Sequence, residues 1–187
     1  GLSGVPVRLN TYHAFNGNRA EEDEEYEGKL RGYFAKIRSF GYKVIIKPVK
    51  TFYDEEGNRF TKSNSDLDMA TDILIQAQNL DKIILLTGDG DFKKVVRATQ
   101  NMGVRVEVLA FNNFSRDLIF ECDRFTSGYI IPNLLPIEGQ EAEDWGEIGK
   151  RCRGQVYAVN QGFGFLRVMD QNYDFQEVFF PFAALPE

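Results

Sequence analysis

Histidine and cysteine are nearly absent from this sequence, and that scarcity narrows the chemistry first. A single histidine, His13, excludes mechanisms that need two imidazoles, such as metal-independent RNA cleavage by an acid and base histidine pair. The two cysteines, Cys122 and Cys152, stand far apart and outside any CxxC pair, so neither a zinc knuckle nor a disulfide scaffold is expected. No apolar run approaches the roughly 20 residues that span a bilayer. The opening Gly1-Leu2-Ser3-Gly4 has neither the basic nor the long apolar segment of a secretion signal, so a cytoplasmic location and no membrane partner are expected. Any hydrolysis is left to carboxylates.

Positive charge is also in short supply. The 187 residues carry a net charge of -6, unfavourable for a nucleic-acid binder, because Lys and Arg supply most non-specific affinity for phosphate. The excess is partly local: Glu21, Glu22, Asp23, Glu24, Glu25 and Glu27 form one acidic run, and more acids gather between Glu138 and Glu147. Lys93, Lys94, Arg97 and Arg105 cluster elsewhere, which leaves room for a locally basic surface.

What is present is an alternation of strand and helix patterns. Val5 to Phe15 reads as a strand closed by the turn Asn16-Gly17-Asn18. Leu30, Phe34, Ile37 and Phe40 recur at helical steps from Glu24 to Phe40, where Gly41 stops the helix. Strand Val44-Ile45-Ile46 follows, then a turn at 54–58, and a helix from Asp66 to Gln78 with Ser65 as its N-cap. Ile83-Ile84-Leu85-Leu86 suits a strand buried on both faces of a parallel sheet. Helix Phe92 to Asn101, strand Val104 to Ala110, helix Ser115 to Cys122 and strand Tyr129-Ile130-Ile131 complete an α/β domain over residues 1–131. It is expected to be a mostly parallel sheet with helices on both faces. An acidic linker, 132–150, leads to a small β-meander over 151–187, with strands at Gln155–Val159, Gly164–Val168 and Glu177–Phe182.

The chemistry-bearing segment is Thr87-Gly88-Asp89-Gly90-Asp91-Phe92, where an apolar strand ends in two acids before a helix. Ligands of open parallel sheets bind beyond the carboxyl ends of the strands, so Asp89 and Asp91 project toward that crevice. Hard oxygen ligands of this kind hold Mg2+ or Mn2+, which activate water and neutralise phosphodiester charge. A third acid is expected from Lys62-Ser63-Asn64-Ser65-Asp66-Leu67-Asp68, where Asp68 and Asp72 share a helix face at i,i+4 and Asp66 points elsewhere. Helix capping is the alternative role for these aspartates, and N-capping for Ser115.

The pattern Lys62-x-x-x-Asp66-x-Asp68-x-x-x-Asp72, then Thr87-Gly88-Asp89-Gly90-Asp91-Phe92, Gly103-Val104-Arg105-Val106, Ser115-x-x-Leu118 and Cys122-Asp123-Arg124-Phe125, resembles the LabA-like NYN family. The resemblance implies a PIN-like, Rossmann-like three-layer fold and metal-dependent ribonuclease chemistry, with Asp66, Asp89 and Asp91 as catalytic and metal-binding residues and Asp68 as a further metal candidate. An opening family strand ending in aspartate and asparagine has no counterpart here, since Val5 to Phe15 resembles the second strand. The implied site is therefore short of one acid.

Gly154-Gln155-Val156, Gly162-Phe163-Gly164-Phe165-Leu166 and Glu177-Val178-Phe179-Phe180-Pro181-Phe182 resemble the first half of a cold-shock (OB-type) domain. Alternation puts Phe163 and Phe165 on one sheet face, and Phe180 and Phe182 together on the neighbouring strand. The expected RNA contacts are Lys62, Lys93, Lys94, Arg97, Phe163, Phe165 and Phe180, with single-stranded RNA as partner; self-association into a homo-oligomer stays open. The function expected is a metal-dependent endoribonuclease. The competing expectations are a non-catalytic RNA-binding protein of the same fold and, more weakly, a glycosyltransferase using Asp89-Gly90-Asp91 as its metal-binding DxD.

Overall fold

A computed structural model describes residues 4–17, 23–53 and 56–185, without the side chains of 50, 51 and 59–62. Asn18, Glu21, Glu22, Asp54 and Glu55, which the turn and acidic-run expectations include, lie outside the described residues, as does the side chain of Lys62. The chain divides into two compact units, Gly4–Gln76 and the residues from Ala77 onward. Among the described residues no helix is long and apolar enough to cross a membrane.

In the first unit, strand β1 (Asn10–Phe15) pairs in parallel with β2 (Lys43–Pro48), from Asn10 opposite Lys43 to Phe15 opposite Pro48. Helix α1 (Glu24–Ser39) makes the crossover between them. Asp23 caps it by accepting from the Tyr26 amide at 2.9 Å, and Gly41 leaves it at φ 87, a left-handed backbone that favours glycine. Its buried residue, Phe34, packs its ring against His13 of β1, centroids 5.1 Å apart. The short strands β3 (Lys50–Tyr53) and β4 (Arg59–Lys62) form an antiparallel hairpin around the expected turn, and α2 (Ser65–Ala77) begins at Ser65.

In the second unit, β5 (Lys82–Leu86), β6 (Arg105–Ala110) and β7 (Arg124–Ser127) form a parallel sheet in that order. Parallel sheets flanked by helices are thus present, in two hydrogen-bonded sets. A 3-10 turn at Gly90–Phe92 runs into α3 (Lys93–Asn101), and α4 (Arg116–Glu121) precedes β7. Register puts Leu85 and Val108 on one sheet face, where they are buried together with Val106, and Val96 of α3 and Leu118 of α4 are buried too. The expected strand at 129–131 is instead a 3-10 turn, Gly128–Ile130. The ladder already ends at Ser127, whose hydroxyl accepts from the Tyr129 amide and turns the chain.

The remaining chain forms β8 (Gly154–Val159), β9 (Phe163–Met169) and β10 (Phe175–Pro181), an antiparallel meander with β9 in the centre. Its β9–β10 turn belongs with the parallel sheet: Met169 and Tyr173 line one cavity with Ile84, Glu107, Leu109, Arg124 and Thr126. The segment read as a linker is tied down by its side chains. Gln140 exchanges two hydrogen bonds with the Arg151 backbone, and Arg153 donates to the carbonyls of Leu135 and Pro136. Trp145, 2% exposed, donates its indole N–H to the Met169 carbonyl at 2.8 Å. Removing so large a buried ring typically costs about 3–5 kcal/mol. Trp145→Ala should therefore lower unfolding stability by about that amount, measured by urea denaturation, whereas substitution of the fully exposed Ile148 should change it little.

Candidate carboxylate rim and aromatic face

The Asp89–Asp91 turn is shaped by steric fit. Beyond β5, the Asp89 carboxylate accepts from the Asp91 amide at 2.9 Å, while the Asp89 amide donates to Thr87 Oγ1 at 3.2 Å. A side chain on Gly88 would put Cβ 2.8 Å from the Asn113 carbonyl oxygen, and one on Gly90 would meet Ser115 Oγ at 2.7 Å. Glycine at both positions lets the 113–115 loop close onto the turn, where the Ser115 amide donates to the Gly88 carbonyl at 2.8 Å. Phe92, 2% exposed, anchors the turn from below. Asp89 and Asp91 both stay exposed at the carboxyl end of β5, with Asp89 also serving as a cap. Ser115 precedes α4 but makes no side-chain capping bond, so its hydroxyl is left beside Gly90.

The other aspartates belong to the first unit. Lys47 of β2 donates to both Asp68 oxygens, at 2.5 and 2.6 Å, and Tyr12 of β1 donates its hydroxyl to Asp72 at 2.8 Å. The shared helix face of Asp68 and Asp72 is thus turned to the β1–β2 pair, and Asp66 is exposed. Burial, reinforced by the Asp72 carboxylate, pushes the Tyr12 phenol up to about 12. His13 is held by Thr11 Oγ1 at 2.8 Å and by the rings of Tyr33 and Phe34, and burial lowers its pKa. That is the setting of a packed structural imidazole.

Mg2+ and Mn2+ take about six oxygen ligands, several of them from water, around one or more carboxylates. Among the described residues no three His, Cys, Asp or Glu side chains gather where they could hold a metal ion. Asp68 is neutralised by Lys47, and the turn offers only Asp89 and Asp91.

The expected basic patch is also altered. Lys93 pairs with Asp117 at 3.0 Å, and Arg97 makes a two-pronged contact with Glu121 at 2.8 and 2.6 Å, so α4 neutralises both. Arg97 in turn holds the Glu121 carboxyl below its usual pKa. Arg105 and Lys82 share the buried Glu107. Lys94 alone of that cluster is exposed without an ion pair among the described residues.

The C-terminal sheet keeps Phe163 with Phe165 and Phe180 with Phe182, as alternation suggested, but the ring that joins the first pair is Phe179 and not Phe180. Phe163 and Phe165 lie 5.8 Å apart by centroid, and Phe179 of β10 closes on them at 5.6 and 5.8 Å. A bulge between Val156 and Ala158 brings Tyr157 to the same face, 6.3 Å from Phe165. Phe179 and Tyr157 are 57% and 46% exposed, so the face is open to a ligand. Phe180 lies on the opposite face: its ring covers Gly164, where an added Cβ would meet it at 2.5 Å, and it stacks with Phe182. Phe179 was missed because its place beside Phe165 comes from the β9–β10 register.

With this geometry in hand, the comparisons with known proteins point one way. A model of the NYN domain family matches residues 4–135. The low amplitude and bright protein LabA of Synechococcus elongatus is 32% identical over 122 residues, 64% of this chain and 62% of that protein, so the match spans less than two thirds of the relative. The crystal structure of a Vibrio parahaemolyticus protein of unknown function is similar at a TM-score of 0.52 with 27% identity, covering 65% of this chain and 68% of the other.

The Tyr12–Asp72 contact is open to direct titration. A tyrosine with a raised pKa holds its proton more tightly in the folded state, so its contribution to stability is complete below about pH 10 and is lost as pH rises through about 12. Ultraviolet titration should find a late phenol transition near pH 12. Asp72→Asn should bring it part of the way back, since burial remains, and Tyr12→Phe should abolish the late transition.

Proposed function

This chain belongs to the NYN domain family, and on that premise we propose that it binds single-stranded RNA through the aromatic face of its C-terminal sheet. The supporting observation is the open set of rings formed by Tyr157, Phe163, Phe165 and Phe179. Unpaired bases stack on such faces for about 1–3 kcal/mol each, whatever their sequence. Successive residues on one face of a strand stand about 7 Å apart, a spacing that suits neighbouring bases of an extended strand. Stacking also meets the difficulty of a net charge of -6, because it draws affinity from base faces and lowers the number of phosphate contacts required. Lys94, exposed on α3, is a candidate for one such contact.

A second reading, metal-dependent cleavage of the bound RNA, is favoured by Asp89 and Asp91 standing together at the exit of β5. Those two carboxylates fall short of a complete site. Hydrolysis with Mg2+ or Mn2+ would need ligands beyond them, and no catalytic step follows from the pair alone.

Both readings are tested on one labelled single-stranded oligoribonucleotide. Phe165→Ala and Phe179→Ala should each weaken binding by roughly five- to a hundredfold, the equivalent of about 1–3 kcal/mol, while Phe180→Ala should act on stability instead. Intact RNA after long incubation with Mn2+ or Mg2+ would remove the cleavage reading. Cleavage that a chelator stops and Asp89→Asn abolishes would establish it. Wild-type binding that is indifferent to the ring substitutions would overturn the proposed face.

A further inference from the structure

The sheet face that carries the rings changes character along β9 and β10. Beyond Phe163 and Phe165 the next residue of β9 on that face is Arg167, opposite Glu177 of β10. Past these come Met169 and Phe175, where the face is covered: Met169 is 3% exposed, and the Arg124 guanidinium from β7 lies over the Phe175 ring at 4.3 Å. Arg167 thus stands at the boundary between an open aromatic surface and a closed seam.

Its side chain is held ready there. The guanidinium lies 5.0 Å from the Tyr157 ring centroid and 5.3 Å from that of Phe175, and one nitrogen is 3.5 Å from Glu177. That separation is the longest among the ion pairs described, and Arg167 keeps 42% of its side chain exposed. Lys93, Arg97 and Arg105, in contrast, are matched to carboxylates at 2.6 to 3.0 Å. A guanidinium stacked between rings loses little conformational freedom on meeting a phosphate, and its fork matches two phosphate oxygens.

We propose that Arg167 is the phosphate contact of the aromatic face, receiving the backbone of a single-stranded RNA at the point where the rings give way to the covered seam. This inference rests on the RNA-binding reading and adds to it the residue that supplies charge and marks one end of the track. A strand stacked on Phe163, Phe165 and Phe179 brings its next phosphate beside Arg167, and Arg124, which also lies over the Phe175 ring, adds to the local positive potential.

The test is the salt dependence of binding of a labelled single-stranded oligoribonucleotide to the whole chain. Each phosphate neutralised on a single strand contributes about 0.7 to the slope of log K against log salt. Arg167→Ala should weaken binding and lower that slope by about 0.7, whereas Arg167→Lys should keep the slope. Phe179→Ala should weaken binding with the slope unchanged. A merely structural arginine would alter stability and leave the slope alone. If wild type binds, the ring variants lose affinity and Arg167→Ala keeps the full slope, the Arg167 assignment falls while the aromatic face stands. If wild type binds no RNA, both fall.

Discussion

The hydrogen bond from the Trp145 indole to the Met169 carbonyl holds together the half of the molecule that carries the aromatic face. Three antiparallel strands depend for stability on an apolar face that is packed against something. Here their β9–β10 end closes against the parallel sheet, and the buried Trp145 pins the preceding strap to the last residue of β9. Gln171 adds two further bonds, to the carbonyls of Glu143 and Trp145. One end of the sheet is thereby committed to the core. At the other end Phe163 and Phe165 are half-buried and Phe179 is exposed.

Charge is distributed with the same economy. Several cations of the second unit are matched internally: Lys93 and Arg97 join α3 to α4, and Lys82 and Arg105 neutralise Glu107. The exposed Lys93–Asp117 pair adds little stability, and together these pairs reduce the surface potential that the linear sequence suggested. The arginines near the C-terminal sheet behave differently. Arg124 meets an aromatic ring, Arg151 and Arg153 meet backbone carbonyls, and Arg167 meets two rings with only a 3.5 Å contact to Glu177, so positive charge is retained where the sheet joins the body. A chain of net charge -6 can therefore present a cationic margin beside its rings.

At the carboxylate rim the controlling constraint is steric. Gly88 and Gly90 are needed because the 113–115 loop occupies the space a side chain would take. The result is a rigid turn that displays Asp89 and Asp91, with Ser115 seated beside them. The aspartates of α2 meet another fate: two of the three are bound by Lys47 and Tyr12, contacts that hold the helix to the β1–β2 pair.

The sequence by itself determined whatever depends on neighbours a few residues away. The twofold and 3.6-residue apolar periods placed most strands and helices, and Thr87-Gly88-Asp89-Gly90-Asp91 announced a strand-to-turn rim with its acids exposed. Family membership was legible from the same local motifs. Tertiary structure alone decided which groups meet. Lys93 and Asp117, like Arg97 and Glu121, are 24 residues apart, as are Trp145 and Met169. Phe179 reaches Phe165 through strand register, and Tyr157 joins them through a bulge that breaks the period. Pairing, register and bulges are set by packing summed over the whole unit, so no short window of residues encodes them.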